Sequence, residues 1–193
     1  MNDLKYLKII DKDKEIGKII DSGDRLENSK RYIQFLKDEN LYLELSQSKL
    51  MFKQARAFAK IARGIHSKSL RKPPFSHEAC APFVVNSAFA CEMYLKTLQN
   101  IYGKAEEIHN LSSLFKHLPN KVKDKVNKFT KEKSAEFKIH SKTLFKDHTK
   151  TISNAFLDWR YIYEKESATV NVNVILLILT LLDTLAYYEV KQT

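Results

Sequence analysis

Glycine and proline are scarce in this chain of 193 residues, four of each. A turn-rich all-β fold or a disordered chain would need more, so with 44% hydrophobic residues the composition favours a globular, mainly helical protein. The length suits one domain with a real core, or a compact domain carrying an extension. Cysteine is nearly absent. Cys80 and Cys91 form no CxxC pair and no ligand cluster with the scattered histidines, so free thiols in a reducing cytosol are the expectation. Neither His66, His117, His140 and His148 nor the stretch "HEACA" at His77 has HExxH or other ligand spacing, so no metal is expected. Also missing are GxGxxG, a phosphate-binding glycine loop with its lysine, and GxSxG, so nucleotide-fold and hydrolase chemistry lack support and no cofactor is indicated. The N-terminus "MNDLKYLKII" lacks the apolar run and cleavage site of a signal peptide. The longest apolar run, "VILLILTLL" from Val174 to Leu182, falls short of the roughly 20 residues that span a bilayer. A cytoplasmic protein without a membrane partner is expected.

What the chain does have is positive charge, +10 net, unevenly placed. Met1 to Leu50 holds ten basic and ten acidic residues, whereas Lys116 to Lys150 holds eleven lysines against four acids. Clustered lysine is the footprint of contact with a phosphate backbone, and it is equally compatible with a solvated helical face. Lys121, Lys123, Lys125, Lys128, Lys131 and Lys133 are the candidate nucleic-acid contacts.

Two short β-branched runs around "DKDK" near the start suggest a small hairpin. After "DSGD" the pattern turns helical. "NSKRYIQFLKDEN" is followed by "LYLELSQSKLMFKQARAFAKIARGI", in which Leu41, Leu45, Phe52, Ala55, Ala59, Ala62 and Ile65 keep a period of three to four and predict one long amphipathic helix. Pro73, Pro74 and Pro82 break the pattern into a loop. In "FVVNSAFACEMYLKTLQNIYG", Val84, Ala88, Cys91, Leu95 and Leu98 share a face, and Gly103 is the expected left-handed stop. A short helix "NLSSLFKHL" follows, capped by Asn110 and ended by Pro119. Next come a helix carrying "ISNAFLDWRYIYE" and an apolar helix from about Val170 to Val190. The expected fold is all-α, an up-and-down bundle over residues 41–193 with an extension at 1–40. The last helix is more apolar than one core stripe requires, which points to a homodimer interface.

"NSAFACEMYLKTL" with Glu92 and Lys96 one turn apart, then "HNLSSLFKHLP", then "WRYIYE" entering a final apolar helix, resembles in order and spacing the HEPN domain superfamily, from about Leu41 to Val190. The resemblance implies a helical bundle, usually dimeric, found in prokaryotic toxin–antitoxin and phage-defence systems, in which many members are metal-independent ribonucleases. It also implies a catalytic Arg, four to six residues and a His near the start of a late helix. Arg160 stands where that Arg is expected, but no His follows it anywhere in the chain. Tyr163 and Glu164 fall near the vacant place. A phenol with a pKa near 10 and a carboxylate repelled by phosphate are poor substitutes. The chain is therefore expected to be a defence-type module that binds RNA or a protein partner with a degenerate nuclease motif, the alternative being a ribonuclease that uses Arg160 at a dimer groove.

Each candidate has a second reading. Trp159 and Ile162 facing the core would leave Arg160 to pair with Glu164 outside it. Alternatively Arg160 enters a groove lined by Tyr161 and Tyr163, where it holds a phosphate while a ring stacks a base. Glu92 either pairs with Lys96 on the surface or, partly buried, holds Arg160. His109 either fixes the loop through hydrogen bonds to nearby backbone or serves in catalysis. Arg71 and His77 have the family's spacing in "RKPPFSH", but they lie in the proline-broken loop.

Overall fold

The computed structural model describes residues 4–140, 142–153, 159 and 169–193, in two compact units, Met1–Leu45 and Ser46–Thr193. In the first unit, β1 (Tyr6–Asp11) and β2 (Lys14–Ile20) form the expected hairpin, pairing antiparallel from Tyr6 with Ile20 to Asp11 with Lys14. Lys12 and Asp13 at its tip have φ of 47° and 66°. Two left-handed residues give the turn the twist of the strands it joins. Helix α1 (Arg25–Asp38) starts at Asp24, whose carboxylate accepts the Glu27 N–H at 2.8 Å. Arg31 ties it back to the hairpin by donating to the Ile20 carbonyl. The Phe35 ring lies against Gly17, where a Cβ would sit 2.2 Å from Phe35 Cζ, so any side chain at this position would have to displace the ring.

The expected long amphipathic helix forms, but it does not start at Leu41. Asn40 takes φ of 55°, and the amides of Leu41 and Tyr42 both donate to the Leu36 carbonyl, which turns the chain after α1. Helix α2 (Gln47–Ile65) begins instead at Ser46, whose hydroxyl accepts the Lys49 N–H. A π-turn at His66–Leu70 extends it. The proline-rich loop is shorter than expected, because α3 (Cys80–Ile101) contains Pro82. In a first turn, proline's missing N–H has no intrahelical partner to lose. Helix α3 ends on Tyr102, whose amide bonds to the Leu98 and Gln99 carbonyls; Gly103, with φ of 159°, is not the left-handed stop expected of it.

Helix α4 (Leu111–Lys116) is capped by Asn110, whose side chain accepts the Ser113 N–H at 3.0 Å. The lysine-rich segment then forms α5 (Asn120–Lys133), a 3₁₀ turn at Ser134–Phe137, and α6 (Phe145–Ile152). Helix α7 (Val172–Lys191) starts where the Asn171 side chain accepts the Val174 N–H. The protein is thus mostly helical, with seven α-helices among the described residues and one small hairpin.

Helices α3 and α7 are the centre of the second unit. Helix α3 packs against α2, α4 and α7, and α7 against α2, α3, α5 and α6. The predicted α3 face of Val84, Ala88, Cys91, Leu95 and Leu98 is buried throughout. Ala55, Ala59 and Ala62 of α2 are fully buried, so small side chains let α2 lie close on its neighbours. Helix α7 buries Ile175, Leu177, Ile178, Leu179, Leu182 and Ala186 inside its own chain. Its apolar composition is consumed there, which removes the composition motive for a dimer interface on α7. At 20 residues α7 runs past Asp183 and is long and apolar enough by length and composition to cross a membrane, unlike the run Val174 to Leu182 taken alone. Of its most apolar window 56% is buried in the chain, as in a core helix.

Candidate functional site

Helix α3 places Glu92 on its buried side, only 4% exposed. The Lys96 ammonium, one turn on, donates to Glu92 Oε1 at 3.0 Å, and His109 Nδ1 approaches the same oxygen at 3.0 Å. A carboxylate only accepts, so the imidazole carries its proton on Nδ1 and turns Nε2 outward. Glu92 and Lys96 are therefore not the surface pair that spacing alone permits. His109 fixes the loop before α4 to a buried carboxylate rather than to backbone. A carboxylate-oriented imidazole is also the arrangement of a general base. Lys96 borders a cavity of about 250 Å³ with Gln47, Asn100, Lys104 and Glu106.

Arg160, Tyr161, Tyr163 and Glu164 lie outside the described residues, and with them the groove expected around Arg160, the pairing of Arg160 with Glu92 or Glu164, and most of the helix expected over "ISNAFLDWRYIYE". Trp159 is described. It is half-buried and packs against the core. Arg71 and His77 are both exposed, at either end of the proline loop, and among the described residues no hydrogen bond or ion pair joins them. Arg71 instead lies near His66, whose imidazole is held below its ordinary pKa by burial and then by that guanidinium.

The six candidate lysines of α5 divide into two sets. Val122, Val126 and Thr130 are buried and fix the roll of the helix. Lys121, Lys128 and Lys131 then lie on the outer face, exposed and in no ion pair with a described residue, beside the exposed acids Asp124 and Glu132. The others are engaged. Lys123 donates to the Lys116 carbonyl at 3.1 Å, and Lys133 pairs with Glu136 at 2.6 Å. Lys125 is a frame residue: its ammonium lies 2.6 Å from Glu189 of α7, which is 4% exposed and also accepts from the Tyr102 hydroxyl at 2.5 Å. Burial pushes the Glu189 carboxyl up, but the bonds from Lys125 and Tyr102 outweigh it and hold it below the usual carboxylate range. Tyr102 is pushed up to about 12 by the same bond, with burial adding to it.

Two charged residues that periodicity does not single out organise α7. Asp183, within the apolar stretch, accepts from Arg63 Nη1 of α2 at 2.9 Å and lies 3.8 Å from Arg56. Beneath it the buried Tyr94 phenol is raised by burial and then by the Asp183 charge. An acid inside an apolar helix is the signal that finds both Asp183 and Glu189, since such a group needs a cation across the core. His148 is buried with no partner for Nε2, and burial lowers its pKa. Both cysteines are free, and burial pushes the Cys91 thiol up. Among the described residues no cluster of three His, Cys, Asp or Glu converges as metal ligands do.

Set against family models, curated proteins and solved structures, the chain has no match.

Proposed function

We propose that the chain is a HEPN-like, non-catalytic module of a bacterial defence or toxin–antitoxin system that binds single-stranded RNA in the cytoplasm. The observation that carries the RNA reading is the outer face of α5. Lys121, Lys128 and Lys131 are held outward by the buried Val122 and Val126 and spend their charge on no ion pair with a described residue. Such cations displace counterions from a phosphate backbone without reading sequence. Asp124 and Glu132 on the same helix dilute the field, so α5 alone gives modest affinity. The HEPN assignment rests on the order of the sequence motifs and the helical fold. The test is anisotropy of a labelled twelve-residue uridine RNA at low salt. Wild type binds, and Lys128→Glu with Lys131→Glu weakens binding about fivefold; no binding by wild type at low salt contradicts the reading.

A second reading, a metal-independent ribonuclease, has one observation in its favour, the Glu92-oriented imidazole of His109. If the chain cleaves RNA, Arg160→Ala and His109→Ala each lower the rate about a hundredfold with the fold intact, because a fixed guanidinium stabilises phosphorane charge and an oriented imidazole moves the proton. Intact RNA after prolonged incubation with wild type excludes it.

A further inference from the structure

A more concentrated positive field than that of α5 lies on α2. Between Glu44 and Glu78 the chain has eight lysines and arginines and no acid. Five of these, Lys49, Lys53, Arg56, Lys60 and Arg63, recur at alternating steps of four and three along α2, which brings them onto one face about 21 Å long at 1.5 Å per residue. The buried alanines lie to one side of this stripe and fix its roll. Lys53, Arg56 and Lys60 are exposed, and Lys49, Lys53 and Lys60 pair with no acid among the described residues. The stripe borders the outer face of α7, where Thr184, Tyr187 and Tyr188 meet Arg56 and Asp183 around an open cleft of about 370 Å³. Tyr188 is 55% exposed and Tyr187 37%. The two rings meet edge to face at 5.8 Å, Tyr187 leans on Phe52, and Lys191 lies 4.5 Å over its face.

We propose that the α2–α7 cleft seats a strand of single-stranded RNA, its phosphates along Lys49, Lys53, Arg56 and Lys60 and unpaired bases against Tyr188 and Tyr187. This rests on the RNA-binding reading and names the surface where bases are held. Cations in a row beside exposed flat rings are what an unpaired strand requires, since phosphates follow the charge and every base has a face to stack. A membrane is the poorer occupant, because the exposed apolar side chains of α2 beside the stripe, Leu50 and Ile61, stand about 16 Å apart along the helix and form no continuous inserting face. RNA is favoured over DNA by Asp183. Its carboxylate opens on the cleft at 17% exposure, anchored by Arg63, and it can accept a bond from a ribose 2′-hydroxyl that DNA lacks.

The experiment measures binding of labelled twelve-residue uridine RNA, the matching DNA, an abasic strand of equal charge, and anionic phosphatidylserine vesicles. Proteins are the wild type, Tyr188→Ala, and Lys53→Glu with Lys60→Glu, all exposed positions. We expect Tyr188→Ala to weaken RNA about tenfold while leaving the abasic strand unchanged, and the double charge reversal to weaken both strands at least thirtyfold. DNA should bind a few-fold more weakly than RNA. If wild type binds RNA but neither variant differs from it, the cleft is not the site, although the RNA-binding reading stands. If wild type binds no RNA, that reading fails first. Vesicle binding tighter than RNA binding and indifferent to Tyr188, or DNA binding equal to RNA, overturns the assignment of the cleft to RNA.

Discussion

Helices α2 and α5 are both cationic, and they differ in what their cations are free to do. Helix α5 belongs to the segment with more lysines, yet Asp124 and Glu132 share its exposed surface and Lys123, Lys125 and Lys133 are bound within the chain. Helix α2 carries no acid of its own; Asp183 of α7 engages Arg63 and Arg56, and Lys49, Lys53 and Lys60 stay unpaired among the described residues, on one face beside a border of exposed tyrosines. Charge counted along a chain and charge available on a face are therefore different quantities. Availability is decided by the roll of the helix and by acids arriving from distant elements.

The sharpest way to break this comparison is through the seams that set the two rolls. Ala59 is fully buried where α2 packs on its neighbours, so Ala59→Leu overpacks the seam and costs about 1–3 kcal/mol, measured by urea denaturation. It should also weaken RNA binding, because the stripe moves with the helix. On α5 the corresponding anchor is Glu189. Glu189→Gln removes the charge that Lys125 meets, and because Lys125 is more than a third exposed the expected loss is about 1–2 kcal/mol, with RNA affinity little changed. A loss of RNA affinity in Glu189→Gln as large as that from the α2 charge reversals would show that α5, not α2, carries the binding.

The smallest effect concerns pH. His148, on α6 beside α7, is buried and held below its unfolded pKa of about 6.5. A histidine neutral in the fold binds fewer protons there than in the unfolded chain. Its contribution is therefore complete above about pH 6.5 and is lost as pH falls through the depressed folded value. Between pH 7 and 5 the wild type should lose stability more steeply than His148→Gln, and equal slopes would refute this origin.

Part of this was legible in the sequence. The α3 face, the Asn110 cap and the N-terminal hairpin each depend on local periodicity or turn chemistry, and the residues that signal them are the residues that form them. The break at Asn40 was hidden because apolar spacing continues through Leu41 and Leu45 while one left-handed residue turns the chain away. Lys125 reads as an outward lysine for the opposite reason, since its partner Glu189 lies 64 residues on. The α2 stripe does not show in a charge count over Met1 to Leu50 or Lys116 to Lys150, because only Lys49 of its five cations falls in either window. At the described residues the Glu92 cluster links His109 and Lys96, which spacing alone brought only half together.

The most direct test of RNA binding by this helical module is its salt dependence. Affinity of wild type for labelled uridine RNA is measured by anisotropy from 25 to 200 mM potassium chloride. With about four phosphates neutralised, the logarithm of the association constant should fall with the logarithm of salt at a slope of about −3, and at a slope shallower by about 1.4 when Lys53 and Lys60 are both replaced by methionine. A flat line would contradict RNA binding, and equal slopes for the two proteins would contradict its placement on α2.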